Sequence, residues 1–102
     1  MLEQLGENLL QIAIRFEPDI VTARQKTKMI AQELGFDMQD QIRLATAVSE
    51  LARNVFQYAK TGTIEYFLNL ERPQFFYIVV KDLGPGIHSI EKILNGTYTN
   101  FI

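Results

Sequence analysis

From Met38 to Ala59 the chain contains neither Gly nor Pro, and its apolar residues keep to one side. Leu44, Val48, Leu51, Val55 and Tyr58 recur at helical spacing, and Ala47 and Ala52 widen the stripe. A helix of this length draws its stability from burying that face, so the stripe predicts a sheet beneath it. Asp37 suits the N-cap, with a second carboxylate, Asp40, three positions later, and Gly62 ends the helical region. Arg43, Glu50, Asn54 and Gln57 run along one flank of the stripe.

The rest of the chain supplies the sheet. Between Leu9 and Phe16, Ile12, Ile14 and Phe16 alternate with Gln11, Ala13 and Arg15, the period of a half-buried strand. Pro18 and Asp19 suit the first turn of a helix, and Gly35 suits its end, so a helix is expected over 19–34. Thr63–Leu70 and Phe75–Asp82 are rich in branched and aromatic residues and read as a hairpin across Glu71–Gln74. The second of these, Phe-Phe-Tyr-Ile-Val-Val, reads as a central strand covered on both faces. A short helix is expected over Ser89–Leu94, ended by Gly96, and Thr97–Ile102 has no clear pattern. The order β-α-α-β-β-α predicts one α+β domain over residues 1–102. It is a two-layer α/β sandwich with helices on one face of a mixed sheet.

Composition removes several classes of function. Without Cys there are no disulfides, thiolate zinc sites or cysteine nucleophiles, and a single His rules out a cluster of His ligands. Ten basic against 12 acidic residues, a net charge of -2, argue against a nucleic-acid binder held by bulk charge. The longest apolar run, Phe75–Val80, is far short of the roughly 20 residues of a membrane helix. The start, Met-Leu-Glu-Gln-Leu-Gly-Glu, lacks the basic residues of a signal peptide, so a cytoplasmic domain is expected.

Two groups of residues have chemical potential. Glu50 and Asn54, four apart, share a helix flank. A carboxylate there can take a proton from a nucleophile, and a neutral amide oxygen suits a hard cation such as Mg²⁺. The plainer reading is a solvated helix face. The second group is Asp82-Leu-Gly-Pro-Gly-Ile87, which breaks the central strand. An Asp at a strand end can present a fixed acceptor to a planar donor, and the glycines permit close backbone approach to a ligand. The alternative is a tight connection in which the Asp satisfies local backbone donors. His88 has no triad partners nearby and reads as an exposed loop residue. Phe67, Phe75, Phe76 and Tyr77 read as sheet core, not as a base-stacking platform.

Ala47-Val-Ser-Glu-Leu-Ala-Arg-Asn54 and Asp82-Leu-Gly-Pro-Gly-Ile87, in that order, resemble the N box and the G1 box of the GHKL superfamily of ATP-binding domains. The nearer resemblance is to the anti-sigma-factor and stressosome switch serine kinases. Gly35-Phe36 and Gln41–Thr46 resemble the stretch ahead of the N box in the switch-kinase branch. The resemblance covers about residues 9–100. It implies a Bergerat-type ATP-binding fold and a serine/threonine-protein kinase that uses ATP and Mg²⁺. The implied substrate is an anti-anti-sigma (STAS) protein in bacterial stress signalling, with a sigma factor or the stressosome as further partners. It also implies roles: Glu50 as general base, Asn54 as the Mg²⁺ ligand, Asp82 as acceptor for the adenine amino group. Gly84, Gly86 and Ile87 would belong to the loop that lies against the nucleotide.

The sequence departs from the family in two places. Tyr58 stands where a His is common near the end of the N-box helix. Gly96-Thr-Tyr-Thr-Asn100 looks like the start of the family's flexible lid, and its second Gly-rich box is not among these residues, so a C-terminally truncated domain is expected. That would leave an exposed sheet edge. It motivates a second reading, a non-catalytic interaction module that binds a partner or itself, in the latter case as a homodimer. A third reading is an ATP-binding fragment of a two-component histidine kinase, which shares this architecture.

Overall fold

The structure is a computed structural model that describes residues 6–69, 75–82, 87–93 and 99–101, the last two stretches as backbone. Its elements are β1 (Glu7–Ile14), α1 (Pro18–Glu33), α2 (Met38–Tyr58), β2 (Gly62–Asn69), β3 (Phe75–Asp82), β4 (Ile87–Ile93) and β5 (Thr99–Phe101).

Local chemistry sets the helix boundaries. Pro18 opens α1. In the same first turn, Asp19 Oδ2 accepts from the backbone N–H groups of Arg15 (2.8 Å) and Phe16 (2.9 Å), which fixes the corner between β1 and α1. Those two donors hold the Asp19 carboxyl below its ordinary range. At the far end Gly35 adopts φ +90°, which favours glycine. Phe36 N–H then reaches back to Ala31 O, and Gly35 N–H to Gln32 O, each at 3.1 Å. This is a Schellman closure, and Phe36 packs into the same buried cluster as Ala31. Asp37 caps α2 by accepting from Asp40 N–H at 2.8 Å. The two helices therefore form a tight antiparallel pair.

The sheet runs in the order β1-β2-β3-β4-β5, and every pairing is antiparallel. This corrects the expected mixed sheet. Residues 89–93 also belong to strand β4, not to a short helix. Ile87, Ile90 and Ile93 have a helix-like period of three. The edge of β3 nevertheless takes the segment as a neighbour, because an unpaired edge has donors and acceptors to satisfy. The four residues between β3 and β4 are too few for the crossover that a parallel pair requires. β3 is central, as expected, between β2 and β4.

Both helices pack on one face. Ile14, Ile64, Tyr66, Phe76, Ile78 and Val80 meet Ile20, Ala23, Ala31, Leu44, Val48, Ala52 and Val55 in a single buried cluster. This is the two-layer α+β sandwich. Tyr58, expected on the stripe, is 84% exposed, because the buried face of α2 is centred on Leu44, Val48, Ala52 and Val55 and continues through Ala59, which leaves Tyr58 on its flank. Among the described residues no helix is long and apolar enough to cross a membrane.

A polar tie crosses the layers. Thr27 Oγ1 donates to Ala23 O at 2.7 Å, so the Tyr66 hydroxyl donates to Thr27 Oγ1 at 2.6 Å, with both side chains fully buried. Burial pushes the Tyr66 hydroxyl up from 10.0 to about 12. Thr27→Val leaves the phenol with a single weak contact, Ala23 O at 3.4 Å. It should cost about 1–3 kcal/mol in urea denaturation, more than Tyr66→Phe at about 0.5–1.5 kcal/mol. Because the folded phenol holds its proton more tightly than the unfolded one, its contribution is whole below pH 10 and falls as pH rises towards 12. Alkaline titration of wild type against Tyr66→Phe should show the two stability curves converging across that window.

Candidate functional site

Glu50 and Asn54 stand one turn apart on α2, and both are exposed. Their flank is free because α2 spends its other side on the sheet, through Val48, Ala52 and Val55. The spacing seen in the sequence is therefore realised as two polar side chains on a rigid element, open to a ligand.

Gly62 joins that helix to the strand end that bears Asp82. It opens β2 and pairs with Ile14 on one side and Asp82 on the other. A Cβ at Gly62 would lie 2.3 Å from Lys81 O, 2.5 Å from Val55 Cγ1 and 3.3 Å from Asp82 Cα. The end of α2, next to Asn54, thus sits directly on the β2–β3 pair beside Asp82. The chain reverses from α2 into β2 through Lys60 at φ 71°, whose N–H shares Val55 O with that of Ala59. Gly62→Ala must push backbone apart and is expected to cost about 1–3 kcal/mol, read as a lowered thermal midpoint.

Asp82 is half-buried and lines a surface cleft of about 370 Å³ with Ala13, Arg15, Thr61, Gly62, Thr63 and Lys81. Glu50 and Asn54 are not among the residues lining it. Lys81 Nζ is held 2.7 Å from Glu65 Oε1 on the sheet face away from the helices, and Asn8 Nδ2 donates to Glu65 Oε2 at 3.4 Å. Arg15 and Lys81 bring two basic residues to the lining of the cleft, the second of them already paired with Glu65. Sequence reading passed over both. Lys81 adjoins Asp82 and was within reach, but Arg15 arrives only through the pairing of β1 with β2.

The other expected residues divide by position. Gly84 and Gly86 lie outside the described residues. Ile87 opens β4 opposite Lys81, and His88 lies in β4 opposite Val80, not in a loop. Asn54 fits a hard cation as one neutral oxygen ligand on a helix. Among the described residues no group of three His, Asp or Glu gathers to hold a metal unaided. A donor set this sparse suits Mg²⁺, which keeps waters and takes most of its oxygens from substrate phosphates.

The serine/threonine-protein kinase RsbT of Bacillus subtilis (strain 168) is 42% identical to this chain over 89 residues, 86% of this chain and 67% of that protein. No protein-family model matches the chain, and no solved structure does. The aligned stretch is long enough at that identity to decide kinship, and with both boxes in place the chain belongs to the family of the anti-sigma-factor switch serine kinases of the GHKL superfamily.

Proposed function

We propose that this chain is the ATP-binding part of a serine/threonine-protein kinase that phosphorylates an anti-anti-sigma STAS protein in the cytoplasm. The observation that carries the reading is the exposed Glu50–Asn54 pair on α2, seated one residue from the Val55–Gly62 contact that adjoins Asp82, in a chain akin to a protein kinase. Neither the interaction module nor the histidine-kinase fragment is favoured by that kinship.

Phosphoryl transfer asks a protein mainly for positioning and charge compensation. Asp82 accepts from the adenine amino group, and by kinship Gly84, Gly86 and Ile87 belong to the box that serves the nucleotide. Asn54 offers its amide oxygen to Mg²⁺, which when bound neutralises charge on the phosphates. Glu50 takes the proton from the substrate hydroxyl as that oxygen bonds to the γ-phosphorus and the bond to the β-phosphate breaks, releasing ADP. A sigma factor or the stressosome is the further partner in this reading.

Calorimetric titration with Mg-ATP tests the proposal. Asp82→Asn should weaken binding by about 1–3 kcal/mol, the scale on which a polar group loses a good partner. Equal affinity in the variant removes Asp82 from the role, and absence of binding by the chain extended past residue 102 ends the reading.

A further inference from the structure

Glu50 has Asn54 on one side and Arg53 on the other. At 3.6 residues per turn, an i+4 neighbour falls about 40° to one side of Glu50 and an i+3 neighbour about 60° to the opposite side. The Asn54 side is the one proposed for Mg²⁺ and the nucleotide phosphates. Arg53, on the far side of the base, has no task in that scheme and is exposed.

Arg53 is also unengaged. An acid and a base three residues apart on a helix are natural partners. Yet no ion pair joins Glu50 to Arg53, and neither has an ion-pair partner among the described residues. Between Arg43 and Gln57, Glu50 is the only acid, and Arg43 and Arg53 are the only bases. Arg43 lies nearly in line with Glu50, about 10 Å before it along the axis. Its one ion pair is a 4.0 Å contact with Asp40, and its side chain is 67% exposed, so it is held only weakly. The proposed base thus stands between two available cations, in a chain whose net charge is -2.

A hydroxyl gives its proton to Glu50 only from hydrogen-bond distance. Its neighbours in the substrate chain then lie over the flank of α2. Arg53 is about 4.5 Å along the axis from Glu50, and an extended chain advances about 3.3 Å per residue. The guanidinium therefore meets the residue beside the acceptor, or the one after it. It takes a carboxylate through two parallel hydrogen bonds and repels a cation. We infer, on the basis of the kinase reading, that Arg53 is a specificity-determining residue. It selects a protein substrate with an acidic residue next to the acceptor hydroxyl or one position removed, and Arg43 extends the same preference along the helix.

Transfer of labelled phosphate from Mg-ATP by the chain extended past residue 102 tests this. The probe is a STAS protein with a single acceptor serine, prepared in two forms that carry Asp or Lys beside that serine. Wild type should favour the Asp form by about tenfold or more in kcat/KM, because like charges brought together in a contact repel. Arg53→Gln should bring the preference close to unity, and Arg53→Glu should reverse it. Each preference is a ratio within one enzyme, so a change in nucleotide binding or in the base cancels. Rescue of the Lys form by Arg53→Glu also rules out misfolding as the cause. Mg-ATP affinity of Arg53→Gln should stay within about twofold of wild type. A wild type indifferent to the two forms, or a preference that Arg53→Glu leaves unchanged, overturns the proposal while the kinase reading stands. Weakened Mg-ATP affinity with the preference unchanged assigns Arg53 to the nucleotide and overturns it equally. Absence of transfer to either form ends the kinase reading itself, and this proposal with it.

Discussion

Glu50→Gln is expected to reduce phosphotransfer to the protein substrate by about 10²–10⁴-fold, the usual contribution of a positioned general base. Glutamine keeps the size and polarity of the side chain and removes only its ability to take a proton. Glu50 is exposed on a rigid helix and packs into none of the buried cluster, so the change leaves the fold alone. Mg-ATP affinity should stay within about twofold, because a base acting on the incoming hydroxyl gives little binding to the ground state. Single-turnover transfer of labelled phosphate, with calorimetry beside it, separates the two quantities. A variant that transfers phosphate at the wild-type rate refutes the role. One that fails to bind nucleotide assigns Glu50 to binding.

Phe76→Ala should cost about 3–5 kcal/mol, a large share of the roughly 5–15 kcal/mol by which such a domain is stable. Phe76 is fully buried at the centre of the sheet. Its ring lies 6.0 Å from that of Phe36 and 6.3 Å from that of Tyr66, centroid to centroid. It therefore links the corner between the helices to the layer of strands. The cavity left by truncation has rigid walls on both sides and cannot collapse cheaply. Phe75→Ala, one residue away on the opposite face and only half-buried, is the control and should cost clearly less. Urea denaturation of both variants decides, and equal costs would mean that the core is not organised around Phe76.

Where one or two residues decide a boundary, the sequence was readable. Pro18, Gly35 and Asp37 place the limits of α1 and the start of α2 within one residue of those observed, because caps and turns act over a few atoms of backbone. β3 runs from Phe75 to Asp82 as the composition suggested. The failures lie where the deciding force is distant. The isoleucines of β4 look helical until the edge of β3 claims them. Thr27 lies on the buried stripe of α1 as its spacing suggests, but the partner that satisfies its hydroxyl, Tyr66, is 39 residues away and could not be read locally. At the site, the spacing of Glu50 and Asn54 is local and legible. Their roles come through kinship, and Arg15 joins the cleft beside Asp82 only by strand pairing across the whole helical hairpin.

The ion pair between Glu65 and Lys81 lies on the side of the sheet that the helices leave uncovered. Glu65 is already buried, so a neighbour stacked plate upon plate would strip water chiefly from the Lys81 ammonium, with no new partner to compensate. A charge held at the rim of that side thus steers crowding neighbours away from face-to-face growth.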